Sequence, residues 1–301
     1  LEAKSLNPLK NLRKFHDFLD IHFQNKSIII HTHLTWDFYL LALSNYKFQT
    51  KIHTEHMTQN KRRRIPFLNL IERIFYKRYS NIIAVSDYTK LALLKFIGNS
   101  YSKKTLVINN GIQNLKPKIQ ISKEKKPILV SIGSLTKIKG FDLSIKALAL
   151  IRESFYKYFI VGEGPELKNL IKLALKYNLK NKVKFLGFRT DINRILCSSD
   201  LGLFPSRHES FNLSALEALS VGLPIITSNV GGMKDVVQCK ASTIANVEDP
   251  KIFSLAILEN IKTKIYSESL RDDAISHSKK FTLEKMCFEY SLIYKKYLSD
   301  I

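Results

Sequence analysis

Cysteine is scarce in this chain: Cys197, Cys239 and Cys287 are the only three, and none stands in C-x-x-C spacing. An odd, scattered set argues against a disulfide framework and fits a reducing compartment. Long apolar runs are also missing. None reaches the ~18 residues of a membrane span, and the longest candidate, from Ile28, is broken by His31, His33 and Asp37. There is no signal-peptide pattern, no internal repeat, no low-complexity tract, and no Asp-x-Asp cluster suited to a metal ion. Acidic residues are few, 26 against 48 basic, which leaves a formal net charge of +22. Such an excess favours anionic partners: nucleic acid, phosphorylated ligands or an acidic membrane surface. The dispersal of the lysines fits equally well a general compositional bias with solvated faces, and no recognised nucleic-acid motif appears. Residue 1 is Leu rather than Met, which suggests a fragment or a processed form.

What is present is a large apolar content, 45% of 301 residues, enough for a sizeable core. Two domains of about 150 residues are the default expectation. Short β-branched runs alternate with longer amphipathic ones, the pattern of βα units and parallel sheets. Residues Leu9, Leu12, Phe15, Phe18 and Leu19 recur at helical spacing. The runs 27–31, 50–54, 81–86 and 105–111 read as strands of an amino-terminal half. The polar stretch "LKPKIQISKEKKP", 115–127, reads as an interdomain linker. Five further strands follow at 127–133, 158–164, 182–188, 200–206 and 223–229, and predict a doubly wound sheet. Residues 281–298 read as one amphipathic helix.

In such sheets ligands bind beyond the carboxyl ends of the strands, so the turns there carry the candidate chemistry. "GSLTKIKG", Gly133 to Gly140, joins a strand to a helix, with Gly133, Ser134, Lys137 and Lys139 offered to phosphate. An ordinary glycine turn with two solvated lysines is the alternative. "VGEGPE" brings Gly162 and Gly164, either for ligand contact or for a well-made turn. Phe188 follows the next strand and offers a ring or backbone to a planar base. In "ESFNLSALE" two carboxylates, Glu209 and Glu217, stand near the start of a helix that Asn212 or Ser214 can cap. Ser214 to Glu217 is also a capping box, which by itself explains Glu217. Alternatively, both carboxylates reach the space off the helix N-terminus, where they suit the hydroxyls of a ribose or a sugar.

Four of the eight histidines, His31, His33, His53 and His56, fall at two strand ends, followed by Trp36 and Asp37 on the first loop. They are structural histidines or a site; their spacing is not that of a zinc helix. "KRRRIPFLNLIERIFYKRYS", 61–80, has seven basic residues against Glu72 alone, with Ile65, Leu68, Ile71 and Phe75 on one helical face. It predicts a basic amphipathic helix, lying on an anionic membrane or packing its apolar face into the core.

An ordered series of segments then carries a resemblance: "HTH", "IAVSDYTK", "VINNGI", "GSLTKIKGFDLSIKAL", "IVGEGPELKNL", "KFLGF", "FPSRHESFNLSALEALSVGLPII" and "GGMKDVV". From about "IIIHTH" to the C-terminus the chain resembles the retaining group 1 (GT4) glycosyltransferases of GT-B fold. The resemblance implies an α/β protein of two Rossmann-like lobes. An acceptor-side lobe, 1–122, is completed by helix 281–301, which crosses back to it; a nucleotide-sugar lobe spans 123–280. It also implies roles. Glu217 holds the ribose hydroxyls. Glu209 and the backbone of Phe211, Asn212 and Leu213 hold the donor sugar and its phosphates. Lys139 binds the diphosphate, Phe188 lies near the base, His33 is close to the reacting sugar, and His56 and Asp37 are on the acceptor side.

Two features depart from the family. Ser134 stands where an arginine is frequent, which removes one diphosphate charge unless Lys137 or another basic residue replaces it. Members also usually begin with a strand, a Gly-rich loop and a helix before the segment matching "IIIHTH"; some 60 or more such residues are absent here, so an amino-terminally truncated sequence is expected. The activity implied is retaining transfer from a UDP- or GDP-sugar to a hydroxyl of a lipid-linked saccharide in bacterial surface-polysaccharide (lipopolysaccharide, O-antigen or capsule) synthesis. The enzyme would need no cofactor or metal, bind no nucleic acid, and work in the cytoplasm at the anionic inner face of the membrane. The competing readings are a sugar-nucleotide epimerase on the same fold and a non-catalytic basic nucleic-acid-binding protein.

Overall fold

The computed structural model describes residues 8–23, 28–58, 61–113 and 126–298. The chain forms two compact units, Leu1–Asn109 with Met286–Ile301, and Asn110–Lys285. The boundary expected at 122/123, and residues 115–125 of the linker expected over 115–127, lie outside the described residues. Contacts divide the chain earlier because residue 112 is already bonded to the far end of the second unit. The Ile112 N–H donates to the Phe281 carbonyl, and the Leu283 N–H to the Ile112 carbonyl, both at 2.9 Å.

The first unit opens with helix α1 (Pro8–Phe23) and strand β1 (Ile29–Thr32). It continues through α2 (Thr35–Leu43), β2 (Thr50–Glu55), α3 (Leu68–Lys77), β3 (Asn81–Ala84), α4 (Asp87–Ile97) and β4 (Thr105–Val107). The four strands are parallel in the order β1-β2-β3-β4. Each step goes the same way, and right-handed crossovers then put every connecting helix on one face. That face carries Ile82 against Phe38, Leu41, Tyr76, Leu93 and Ile97 from α2, α3 and α4. Successive strand residues point to opposite faces, so Ile83 joins Ile52 and Ile108 on the other side.

The segment 61–80 differs from its sequence reading. It is not one helix: a 3₁₀ turn covers Lys61–Arg64, and α3 begins only at Leu68, after Pro66 and a left-handed Phe67 (φ 61°). Its basic face does not define its outside. Glu72 and Tyr76 are buried, while Ile65, Phe67, Leu70, Ile71 and Ile74 are exposed.

The second unit runs β5 (Ile128–Ile132), α5 (Phe141–Leu150), β6 (Lys157–Val161), α6 (Leu167–Lys176), β7 (Val183–Gly187) and α7 (Ile192–Cys197). It continues β8 (Leu201–Phe204), α8 (Leu213–Ser220), β9 (Ile225–Ser228), α9 (Met233–Val236), β10 (Ser242–Ala245), α10 (Pro250–Thr263) and α11 (Glu268–Ser278). All five strands read from the sequence are present; β10, short and half polar, adds a sixth. The parallel order is β7-β6-β5-β8-β9-β10. This is the doubly wound order in which the direction reverses between the first and fourth strands. Helices α5, α6 and α10 build the main core on one face with Leu129, Tyr158, Ile160, Leu201 and Leu203. Both units are thus Rossmann-like parallel sheets.

The last helix, α12 (Leu283–Leu298), returns to the first unit, where Ile293 closes the Ile52, Ile83 and Ile108 cluster that α2, α3 and α4 leave uncovered.

Candidate active site

In the second unit the reversal point lies between β5 and β8, so the loops after these strands flank a crevice at the carboxyl edge. The β5 loop leads from Gly133 through a 3₁₀ turn, Lys137–Lys139, to α5. Gly140 sits at φ +67°, and a Cβ there would lie 2.0 Å from the Pro205 carbonyl oxygen of the β8 loop. Only glycine permits this approach. The β6 loop closes on the β5 loop in the same way, since a Cβ on Gly162 (φ +130°) would meet the Gly133 oxygen at 2.0 Å. Backbone bonds lace the two: Leu135 N–H to the Glu163 carbonyl at 2.8 Å, and Glu166 N–H to the Leu135 carbonyl at 2.9 Å. Gly162 and Gly164 therefore pack against the β5 loop, each with a backbone atom of that loop where a Cβ would stand.

The Lys139 side chain passes over Gly133 and donates to Glu209 Oε2 at 2.6 Å. The two side chains are 22% and 12% exposed. Residues 70 positions apart thus form a half-shielded ion pair at the reversal point. Ser206 Oγ donates to the same oxygen at 3.4 Å, and the Gly232 N–H donates to the Glu209 carbonyl at 3.0 Å, which ties in the β9 loop.

Helix α8 starts at Leu213 and is capped by Asn212, whose Oδ1 accepts from the Ala215 N–H at 3.0 Å. The capping box read over Ser214–Glu217 is therefore not formed: Ser214 is already inside the helix, and Glu217 lies too far along to reach back to the cap. The Glu217 carboxylate has no hydrogen-bond partner among the described residues, and burial raises its pKa above the ordinary carboxylate value. The amides of Phe211, Asn212 and Leu213 donate to no group among the described residues. Phe211 itself is buried against Phe281, while Leu213 is exposed. Phe188 is exposed beyond β7, its N–H pointing at Glu163 Oε1 at 3.4 Å. Ser134 and Lys137 are exposed on the β5 loop.

One residue of this edge escaped the sequence reading. Arg207, on the β8 loop, donates to both oxygens of Asp142 at 2.8 and 2.9 Å and to the Lys137 carbonyl at 2.8 Å. Burial opposes ionisation of Asp142, but the Arg207 guanidinium outweighs it and holds the pKa below the usual carboxylate value. Arg207 so fixes the turn that carries Lys139. The available signal was an arginine two residues before Glu209.

In the first unit the four histidines divide into two kinds. His53 is buried and shares a 2.9 Å bond with Thr32. His31 is held on both ring nitrogens, by Tyr294 of α12 and by Thr54, each at 2.7 Å. Burial, with the charges of its neighbouring histidines, pushes its pKa down to about 3. His33 and His56 instead face solvent, and Nδ1 of the first lies 3.1 Å from Nε2 of the second. Partial burial lowers both pKa values; Asp37, exposed in the first turn of α2, acts against this at His33. One ring donates while the other accepts, so the pair is poised as a neutral, hydrogen-bonding edge. Tyr294 supports it indirectly, since the His31 ring lies 4.2 Å from that of His33. No group of three or more His, Cys, Asp or Glu placed to hold a metal occurs among the described residues. Nor, among them, is any helix long and apolar enough to cross a membrane.

Comparison with known proteins adds the family. A family model described as "Glycosyl transferases group 1" matches residues 113–281, and one described as "Glycosyltransferase Family 4" matches residues 3–113. The chain is 31% identical over 209 residues to N-acetyl-alpha-D-glucosaminyl L-malate synthase of Bacillus anthracis, covering 67% of this chain and 53% of that protein. It is 30% identical over 171 residues to the O-antigen biosynthesis glycosyltransferase WclY of Escherichia coli, covering 57% and 47%. The chain thus spans about half the length of the curated relatives it matches. Among solved structures, Anabaena Alr3699/HepE in complex with UDP and glucose superposes with a TM-score of 0.80 at 19% identity, over 96% of this chain and 80% of that one. A glycosyltransferase from Rickettsia africae ESF-5 gives 0.82 at 19%, over 100% and 85%.

Proposed function

Because the chain belongs to the group 1 glycosyl transferases, of GT-B fold, we propose that it moves a sugar from a nucleoside diphosphate sugar to an acceptor hydroxyl. The observation that carries this reading is the Lys139–Glu209 pair at the reversal point, with free α8 amides and the unpaired Glu217 carboxylate on the same edge. An ionised carboxylate accepts two O–H bonds, so Glu217 suits the ribose diol. Lys139 and Lys137, with the α8 amides, supply the positive field for the departing diphosphate, whose charge grows as its bond to the sugar breaks. Glu209 and the backbone at Phe211, Asn212 and Leu213 orient the donor sugar, Gly133, Ser134, Gly162 and Gly164 shape the phosphate side, and Phe188 offers its face to the base. By the family resemblance, His33 would act at the reacting sugar, and His56 with Asp37 on the acceptor.

The finer reading is transfer with retention, from a UDP- or GDP-sugar, to a lipid-linked saccharide of bacterial surface-polysaccharide synthesis. The reaction would take place at the cytoplasmic face of the inner membrane. The likeness to an O-antigen glycosyltransferase and to a UDP-binding structure supports it. The test has two steps. Melting shifts with UDP-, GDP- and ADP-sugars identify the donor, since a ligand of the folded state raises its melting point. Glu209→Ala and Lys139→Ala are then expected to lose transfer by ~10²-fold or more while remaining folded. Full activity in both refutes the assignment, and product formed from the donor without acceptor indicates an epimerase.

A further inference from the structure

We propose that His277, at the end of α11, is a positioning residue for Glu209. It acts through α9, the single helical turn on which the Glu209 backbone rests. This deepens the reading of Glu209 as a group that orients the donor sugar, and it rests on that reading.

Helix α9 has four residues, Met233–Val236. One turn of helix fixes about six dihedrals for one hydrogen bond, so it does not hold itself. Both of its ends are held from outside. At the first, the Gly232 N–H donates to the Glu209 carbonyl at 3.0 Å. Gly232 also abuts the next peptide: a Cβ there would lie 1.7 Å from the Ser210 carbonyl oxygen. The Glu209 backbone thus keeps its place only while α9 keeps its own. At the other end, His277 Nε2 lies 2.7 Å from the Val236 carbonyl oxygen. A carbonyl only accepts, so Nε2 carries the proton and donates it. This bond satisfies a last-turn carbonyl that so short a helix cannot pair internally.

The place calls for a neutral donor. His277 is 6% exposed, and Met233 and Val236 are fully buried. Burial lowers the His277 pKa, so the ring is uncharged at neutral pH. A lysine or arginine would bring an unpaired charge into the same buried position. The ring makes a second contact as well. Its centroid is 5.5 Å from that of Phe281, and Phe281 meets Phe211 edge-on at 5.8 Å. Segment 209–211 is therefore held twice, by its backbone on α9 and by the Phe211 ring on Phe281, and both supports meet at His277. The ribose and diphosphate partners, Glu217 and Lys139, belong to α8 and the β5 loop, so loss of His277 is expected to fall on the sugar's orientation.

The test compares His277→Phe, which keeps a ring against Phe281 but donates nothing, with His277→Gln, which keeps an N–H donor of similar reach. In the full chain without nucleotide, the phenylalanine variant is expected to speed amide exchange at Gly232 by about tenfold. The Ala215 amide, capped by Asn212, is expected to stay unchanged. The glutamine variant is expected to remain within about twofold of the wild type at both. With a donor found by melting shifts, phenylalanine is expected to lower kcat by about tenfold at a donor KM within about twofold, because a ~1 Å misplacement costs up to ~10²-fold. Glutamine is expected to restore it. A purely structural role would lower the melting point without this split between kcat and KM. The proposal is overturned if Gly232 exchange is unmoved or rises no more than at Ala215, if kcat is unchanged, or if glutamine loses as much as phenylalanine. Should the phenylalanine variant not fold, His277→Asn, whose amide is one carbon shorter than that of glutamine, takes its place in both comparisons. If no nucleotide sugar shifts the melting point, the donor reading fails, and exchange at Gly232 still decides whether His277 holds the Glu209 backbone.

Discussion

Removing Arg207 tests whether the clasp under the β5 loop is real. Its guanidinium meets Asp142 with both bonds in the normal range, 2.8 and 2.9 Å, and each side chain is 29% exposed. A buried charge-assisted bond is worth about 1.5–3 kcal/mol, and an exposed pair ~0.2–1 kcal/mol. The bidentate geometry places this pair between the two. Lys146, 3.5 Å from Asp142 Oδ2, leaves a second cation behind when Arg207 is lost. A coupling of roughly 1 kcal/mol between Arg207→Gln and Asp142→Asn at neutral pH is therefore expected. Its pH dependence has a definite sign. The folded pKa of Asp142 is depressed, so the contribution is complete above the unfolded value of about 3.9 and is lost as pH falls through the folded value below it. The assay is a double-mutant cycle by urea unfolding at neutral and strongly acidic pH. Hydrogen exchange read at Leu135, Lys139 and Gly140 localises the effect, because their amides are bonded within this loop and to the β6 loop. A coupling indistinguishable from zero at neutral pH, or one unchanged in acid, refutes the reasoning.

Two further outcomes are expected. Gly140 and Gly187 share a left-handed backbone, φ +67° and +66°, but only Gly140 faces a backbone atom at collision distance. Gly187→Ala is expected to cost about 1 kcal/mol of conformational strain, and Gly140→Ala about 4 kcal/mol or more through displacement of the β8 loop; equal melting points for the two variants would contradict this. Glu217→Gln is expected to weaken nucleoside diphosphate binding by about tenfold or more, and at the same time to raise the melting point of the ligand-free protein. Burial raises the Glu217 pKa, so the folded state holds its proton more tightly and stability falls as pH rises through that value. The amide carries no such cost, and calorimetry of both forms at neutral and mildly acidic pH would detect it.

The first five strands of the second unit were legible because each is written locally, in an apolar run ended by Gly, Pro, Ser or Asn. That Lys139 and Glu209 share one sheet edge was legible through topology, since a doubly wound sheet brings the loops after its first and fourth strands together; their ion pair was not read from the sequence. What failed were choices settled by another element. Ser214 and Asn212 are both acceptable caps, and the backbone chose Asn212. Periodicity left the apolar face of 61–80 either packed into the core or turned outward, and no local pattern records the bonds to Tyr39 and Glu55 that hold Glu72 and Tyr76 inside. The four histidines looked alike in sequence, yet Tyr294, more than 260 positions from His31, makes that one a support and leaves His33 and His56 open.

The two glutamates of "ESFNLSALE" are not equivalent. Glu209 is paired in the ligand-free protein, so its charge is offset and Lys139 is held in place over Gly133. Glu217, eight positions on, has burial but no partner, so it gains most from a ligand that brings hydroxyl donors. Ser134 makes the first arrangement more demanding. With no arginine on that position, and Arg207 committed to Asp142, the cations left on the β5 loop are Lys139 and the exposed Lys137. On the proposed donor reading, a diphosphate bound there would draw Lys139 partly away from Glu209, and the freed carboxylate oxygen would become available to a sugar hydroxyl. Donor phosphate and donor sugar would on that reading be recognised through one ion pair, a use for a carboxylate beside Lys139 in so basic a chain.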